Sequence, residues 1–342
     1  MRKGVDMMSI WCYIIVADAM SATLKLMRRK KMANLPKIAL GAWAWGNDGT
    51  FGNNWTAENL KPIFDKAMAN GLNLWDTAYV YGMGTSEKTL GGFLKGLPRD
   101  SYIVSDKLTP QCADYSSKTP VEDMLSTELN ILGIDSMDIY WVHNPVDAPK
   151  WITEVAKYYE GREDAPIIGV SNHNLAEIKE ADEILRSHGL KLGAVQNHFS
   201  LLNRSSEDSG ILKYCRENDI HFFAYMVLEQ GALSGKYDTK NPMPADSGRA
   251  ATYNPVLDKL EIMNGKLKEI ADKYSVAPAQ IPVAWAIAKG CLPIIGVTKE
   301  SHVDDAVKAM NISLTQEEIV DLEKTADSLE LNLIRMWEKK MD

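Results

Sequence analysis

Cysteine is scarce in this 342-residue chain: Cys12, Cys112, Cys215 and Cys291 stand far apart with no short pairing. That spacing excludes a disulfide framework or a zinc site and reads as reduced, structural thiols. The six histidines show no metal-ligand spacing either; His173 has only Ser171, Asn172 and Asn174 beside it. No metal is expected. Basic clusters are also missing. A net charge of −8 argues against a nucleic-acid surface, which gathers Lys and Arg on one face, and against adsorption to an anionic membrane. The apolar run at 10–16 is too short to span a bilayer as a helix.

That run follows Arg2 and Lys3 and precedes Ala17-Asp18-Ala19, which gives it a signal-peptide look. Asp18 and the basic stretch 28–31 speak against export. Met32 opens "MANLPKIALGAWAWG", which reads as a natural domain start. Residues 1–31 are therefore taken as an upstream extension and 32–342 as one domain, with a cytoplasmic location expected.

No low-complexity linker divides the chain. Short apolar runs of strand length alternate with segments of helical period. The runs are 37–43, 72–78, 101–107, 137–143, 166–172, 192–197, 220–225 and 291–296. The helix candidates are 56–70, 85–95, 119–132, 150–160, 174–187, 207–218, 278–289 and 302–310. For the second helix, Thr85 or Ser86 is the expected cap. Near-continuous hydrophobic strands suit a parallel sheet buried on both faces. Eight such units match a closed (β/α)8 barrel, the TIM barrel, in size. An open doubly wound sheet would carry a glycine-rich loop after its first strand, and "GAWAWGNDG" has no G-x-G-x-x-G. Outside the repeat lie a long loop after strand seven (226–256) and extra helices at 257–274 and 315–328. A loop of that length is usually functional.

Chemistry in such a barrel sits at the C-terminal ends of its strands. Read in order, those ends carry Trp43, Asp76, Lys107, His143, Ser171, Asn172, Gln196 and Tyr225. Taken singly, Asp76 reads as a turn cap, Lys107 as a solvated strand end and His143 as a core histidine. Polar groups at nearly every end of one rim favour a site. A phenol with an ordinary pKa near ~10 donates its proton more readily beside an ammonium, and a carboxylate holds that ammonium in place. A neutral imidazole orients a carbonyl oxygen. The set suits carbonyl reduction by hydride from a nicotinamide.

The segments "DTAYVYG", "SDK", "DIYWVHNP", "IIGVSNHN", "AVQNHFSLLNR" and "LEQGALSGKY" together resemble the aldo-keto reductase family, from about Leu35 to Glu323. The resemblance implies a catalytic tetrad of Asp76, Tyr81, Lys107 and His143, with Tyr81 as acid. It also implies that Ser171, Asn172 and Gln196 grip the carboxamide of the nicotinamide and that Tyr225 stacks on its ring. "LEQGALSGKY", with Leu228 and Gly231, resembles the loop over the pyrophosphate. "IIGVTKESHVDDAV", with Gly296, Thr298, Lys299, His302 and Asp305, resembles the segment around the adenosine 2′-phosphate. NADPH is the expected cofactor, with NADH possible in its place.

The chain departs from the family pattern in places. Met226-Val227 replaces the usual Ser-Pro, "EGREDAP" replaces a basic Gly-Lys-Ile-Arg, and Ala306 stands where an asparagine is usual. Trp43, Trp45, Tyr79 and Asn144 are the substrate-pocket candidates, with the C-terminal tail and its Trp337 completing the wall. The expected partner is a small-molecule carbonyl substrate, and the chain a monomer or homo-oligomer. Two other readings compete: a nucleotide-binding regulatory barrel with little turnover, and a hydrolase or isomerase using Asp76 and His143. The complete tetrad disfavours the first; the lack of a metal or phosphate site disfavours the second.

Overall fold

Eight parallel strands close into a barrel in which each pairs with its neighbours in chain order, β8 returning to β1. This computed structural model describes residues 35–331, 333, 335, 338, 339 and 341. The 1–31 extension and Trp337 lie outside the described residues. The strands are β1 (Ala39–Gly41), β2 (Leu74–Asp76), β3 (Ile103–Leu108), β4 (Ile139–Val142), β5 (Ile167–Ser171), β6 (Leu192–His198), β7 (His221–Tyr225) and β8 (Leu292–Gly296). All eight expected strand runs are present; six are trimmed within the expected bounds, while β3 and β6 each run one residue past the expected C-terminal end.

The helices are α1 (Ala57–Ala69), α2 (Thr85–Leu94), α3 (Pro120–Leu132), α4 (Ala148–Tyr159), α5 (Leu175–Ser187), α6 (Ser205–Asp208), α7 (Ile211–Glu217), α8 (Ala250–Tyr253), α9 (Leu257–Tyr274), α10 (Gln280–Ala288), α11 (Glu300–Ala309) and α12 (Gln316–Ser328). In α1 the buried residues Leu60, Ile63, Phe64 and Ala67 fall at the i, i+3, i+4, i+7 spacing of a core-facing stripe. Burying each large side chain there contributes about 1.5–3 kcal/mol. Reciprocal capping boxes, Thr56 with Asn59, Asn174 with Glu177 and Thr315 with Glu318, start α1, α5 and α12.

Two details differ from the sequence reading. The helix expected over 207–218 is split into α6 and α7 because Gly210 takes a left-handed φ of +81° between them. The cap of α2 is Gly84, not Thr85 or Ser86. The Ser86 hydroxyl is engaged elsewhere, donating to the Ala42 carbonyl at 2.7 Å and meeting Thr77 Oγ1 at 2.9 Å.

Ala39, Leu74, Ile103, Ile139, Trp141, Ala194, Phe223 and Leu292 fill the barrel interior, while a larger apolar layer lies between strands and helices. Trp141 fits because position 169 is glycine: a Cβ there would sit 2.3 Å from the indole. The stretch 226–256 is more ordered than a plain loop. It holds a 3-10 turn (Glu229–Ser234) and α8, and packs on its own cluster around Tyr237, Met243, Tyr253 and Leu257. No helix among the described residues is long and apolar enough to cross a membrane.

Candidate active site

β2 ends in Asp76 and β3 carries Lys107 in the adjacent strand, which sets the two side chains against each other. Lys107 is fully buried, and its Nζ donates to Asp76 Oδ1 at 2.5 Å and to the Thr77 carbonyl at 2.7 Å. An ammonium has three N–H bonds, so one is left over. Tyr81 lies on that side, its ring centroid 4.9 Å from Nζ. Asp76 is braced from below: Ser105 Oγ donates to Oδ2 at 2.8 Å, and Trp141 Nε1 donates to Ser105 Oγ at 2.7 Å. Burial pulls the Lys107 pKa down, but Asp76 and Tyr81 together carry it above its usual value. Lys107 is a cation held inside the protein.

Tyr81 follows from the turn after β2. Gly82 has φ +69°, and a Cβ there would come within 1.9 Å of the Gly46 carbonyl oxygen. Only glycine allows this contact between the β1 and β2 turns, and it fixes where Tyr81 sits. Trp43 stacks on Tyr81, centroids 5.6 Å apart at 20°, and Phe51 meets Trp43 edge-on at 5.3 Å. Burial raises the Tyr81 pKa, Lys107 pulls it back, and the net direction is upward. The lowered phenol pKa expected from the lysine is thus outweighed by desolvation, and the phenol keeps its proton at neutral pH.

His143 meets the Tyr81 ring edge-on at 5.8 Å. Burial first, then the Lys107 charge, holds its pKa well below the usual value, so the ring is neutral. Its Nδ1 lies 2.8 Å from the Thr109 hydroxyl. With that hydroxyl donating, the ring proton resides on Nε2.

These groups open on one cavity of about 950 Å³ along the C-terminal rim. Asp76, Tyr81 and His143 line it, as do Thr298, Lys299, His302 and Asp305. Ser171, Asn172, Gln196, Tyr225, Leu228, Gly231 and Gly296 line it too. Asn172 is left-handed (φ 65°); its amide donates to the His143 carbonyl at 3.2 Å and accepts from the Tyr225 hydroxyl. Gln196 Nε2 donates to Asp76 Oδ2 at 3.1 Å, a link across the rim that the sequence did not suggest. Asp305 accepts from Gln280 at 2.7 Å and His302 Nδ1 accepts from the Thr298 N–H at 3.3 Å.

The substrate candidates divide. Trp43 and Asn144 line the cavity. Trp45 does not: it is fully buried between Trp75 and Phe93, with Nε1 donating to the Val297 carbonyl at 2.9 Å. Tyr79 also turns away, packing on the outer core beside Gly84, while its neighbour Val80 faces the cavity. Trp45 and Tyr79 are therefore core residues. The sequence reading missed Phe51, Gln111, Lys236 and Arg249 in the lining. Gln111 pairs with Asn144 beside His143, Asn144 Nδ2 donating to its Oε1 at 2.9 Å. Lys236 and Arg249 lie in the long loop after strand seven, where three basic and three acidic residues cancel, so loop charge gave no signal for them.

The donor set fits a dinucleotide: amides and a hydroxyl lie beside the Tyr225 phenol, and three cations, Lys236, Arg249 and Lys299, line the same cavity.

A profile of the Aldo/keto reductase family matches residues 37–327. The chain is 31% identical over 315 residues to the chloroplastic pyridoxal reductase of Arabidopsis thaliana, covering 87% of this chain and 85% of that one. It is 25% identical over 323 residues to an aldo-keto reductase of Schizosaccharomyces pombe whose name carries NADP(+), covering 88% and 92%. Among solved structures, the glycerol dehydrogenase of Gluconobacter oxydans superposes with a TM-score of 0.74 at 23% identity, over 88% of this chain and 94% of that one. An aldo/keto reductase of Klebsiella pneumoniae in complex with NADP and acetate gives 0.68 at 20%, over 90% and 95%. The chain belongs to the aldo/keto reductase family, whose members are oxidoreductases acting on carbonyl groups with NADP(H).

Proposed function

We propose that this protein reduces an aldehyde to an alcohol with NADPH and that Tyr81 supplies the proton. The observation that carries this reading is the buried Lys107–Asp76 pair, whose ammonium stands beside a protonated phenol at the cavity floor. Bound NADPH supplies the hydride. The chain's own groups do the rest. Neutral His143 donates from Nε2 to the carbonyl oxygen and orients it. Tyr81 gives its proton to that oxygen as negative charge develops there, and the Lys107 ammonium, anchored by Asp76, stabilises the phenolate left behind. Trp43, stacked on Tyr81, restricts the approach to a flat one.

Ser171, Asn172 and Gln196 are assigned to the carboxamide and Tyr225 to the nicotinamide face. Lys299, Lys236 and Arg249 are assigned to the phosphates, which favours NADPH over NADH. Pyridoxal is the first substrate to test: a flat aromatic aldehyde suits the wall of Trp43 and Phe51, the Gln111 and Asn144 amides could meet its ring substituents, and a relative named for its reduction is 31% identical. The test is NADPH consumption with pyridoxal and with a panel of aliphatic aldehydes, wild type beside Tyr81→Phe. Turnover of any aldehyde that survives the substitution undiminished removes the acid role from Tyr81.

A further inference from the structure

The reductase reading leaves a buried charge network around Glu229 unused. Glu229, in the turn that follows β7, is fully buried and accepts four hydrogen bonds. The donors are His198 Nε2 at 2.7 Å, Ser200 Oγ at 2.5 Å, Tyr253 OH at 2.7 Å and Arg335 Nη2 at 2.8 Å. They come from the end of β6, the segment after it, α8 and the C-terminal tail. Four acceptor sites are all that a carboxylate has, so Glu229 has nothing left to offer a substrate.

The tail supplies a second carboxylate. Glu338 Oε2 lies 3.0 Å from His198 Nδ1 and 3.4 Å from Arg335 Nη1. The Asn203 amide also lies 3.0 Å from that Nδ1. Between two carboxylates the imidazole carries both protons, and Glu338 accepts a hydrogen bond from its Nδ1–H. Burial pulls the His198 pKa down, yet Glu229 and Glu338 raise it to about 9. Two cations and two anions then balance in a dry site.

This network bears on the cofactor cleft in two ways. His198 stacks face to face on Tyr225, centroids 5.7 Å apart at 29°, and so backs the ring assigned to the nicotinamide. Glu229 also sits within a strained run: Met226, Glu229 and Gln230 all have positive φ (63°, 47° and 52°) without being glycine. Such conformations persist only where the surroundings over-determine them. Farther along the tail, Lys339 pairs with Glu177 at the start of α5, and Met341 is buried with Sδ 3.5 Å from Asn197 Nδ2. The tail thus touches the β7 turn, β6 and α5 in succession.

We propose that Arg335 and Glu338 are positioning residues that hold the 226–234 turn and Tyr225 in nucleotide-binding shape, so that docking of the C-terminal tail sets the affinity for NADPH. The affinity half of this inference rests on the reductase reading; the mechanical half does not. The full-length chain carrying Arg335→Met tests both.

Without nucleotide, amide hydrogen exchange across 228–256 is expected to rise by about tenfold or more. The NADPH dissociation constant, read by fluorescence titration, should weaken by about tenfold, with kcat at saturating NADPH held within about threefold. Arg335→Lys should recover part of both losses, since it keeps the charge but loses the planar fork. Should Arg335→Met fail to fold, Glu338→Gln, which leaves the Arg335–Glu229 pair in place, should shift both readouts in the same direction by less. Unchanged exchange overturns the mechanical tie. Raised exchange with unchanged NADPH affinity overturns control of the cofactor site. A wild-type chain that binds no nicotinamide nucleotide sinks the reductase reading and the affinity half together, and the exchange result still decides the tie.

Discussion

Two buried charge networks share the C-terminal rim of this barrel, and they differ in what they leave free. Around Lys107, two hydrogen bonds go to Asp76 and Thr77, and the remaining donor faces a phenol at the floor of an open cavity. Around Glu229, every acceptor site is taken by a protein donor. Both ion pairs are buried. Chemistry belongs with the network whose capacity is not exhausted, and mechanical support with the one whose capacity is.

The largest effect should come from opening the first network. Lys107→Met leaves Asp76 buried without its cation, and losing one partner of a buried pair costs about 3–5 kcal/mol. In the same variant kcat for aldehyde reduction should fall by about 10²–10⁴. Urea melts and steady-state rates measure the two losses separately.

Next in size is Gly82→Ala. The new Cβ meets the Gly46 carbonyl oxygen at a distance no backbone tolerates, and φ +69° strains any other residue. Moving the turn displaces Tyr81, and about 1–3 kcal/mol of stability should go with it. If the melting midpoint and kcat are both untouched, the contact between the two turns does not position the acid.

The second network should show itself through pH. His198 has its pKa raised from 6.5 to about 9, so its contribution is complete below pH 6.5 and is lost as pH rises through about 9. Glu229 has its pKa lowered from 4.5 to about 2, burial opposing and His198 prevailing. Its contribution is complete above pH 4.5 and is lost as pH falls through about 2. The lock is therefore strongest between pH 4.5 and 6.5. Other groups tilt the same curve: burial raises Glu87 to about 11 and Asp106 to about 7, and both cost stability as pH rises. The difference between wild type and His198→Gln across a pH series isolates the lock, and a flat difference from pH 6 to 9 refutes a charged imidazole there.

Lys299→Ala should have the smallest effect. It removes one point charge at the start of α11, and the cost is a weakening of NADPH binding by about tenfold with NADH binding unchanged. Paired fluorescence titrations distinguish this from a general loss of affinity, which would mean that Lys299 serves the nucleotide elsewhere.

The first network was legible in the sequence because strand ends carry it. A polar residue that closes an apolar run announces itself, and Asp76, Lys107 and His143 each do so. The barrel was legible for the same reason, through alternation repeated along the chain. Spacing could not separate Trp43 from Trp45, two residues apart, because a short 3-10 turn sends one to the cavity and the other to the core. Through the turn after β2, Val80 lines the cavity in place of the expected Tyr79. The second network left no local trace. Glu229 and Arg335 are 106 residues apart, and each alone reads as an ordinary surface charge. Only the fold brings the tail back across β6. The direction of the Tyr81 shift was likewise hidden, because desolvation depends on packing that no motif records.

The contrast between the two networks is tested most directly by measuring kcat and the NADPH dissociation constant side by side in Tyr81→Phe and Arg335→Met. The expected pattern crosses. Tyr81→Phe should bind NADPH as the wild type does and lose turnover by about 10²–10⁴, whereas Arg335→Met should keep turnover at saturating NADPH and bind it about tenfold more weakly. If both variants lose turnover and affinity in the same proportion, the rim holds one cooperative site, and the division between an open and a saturated network is wrong.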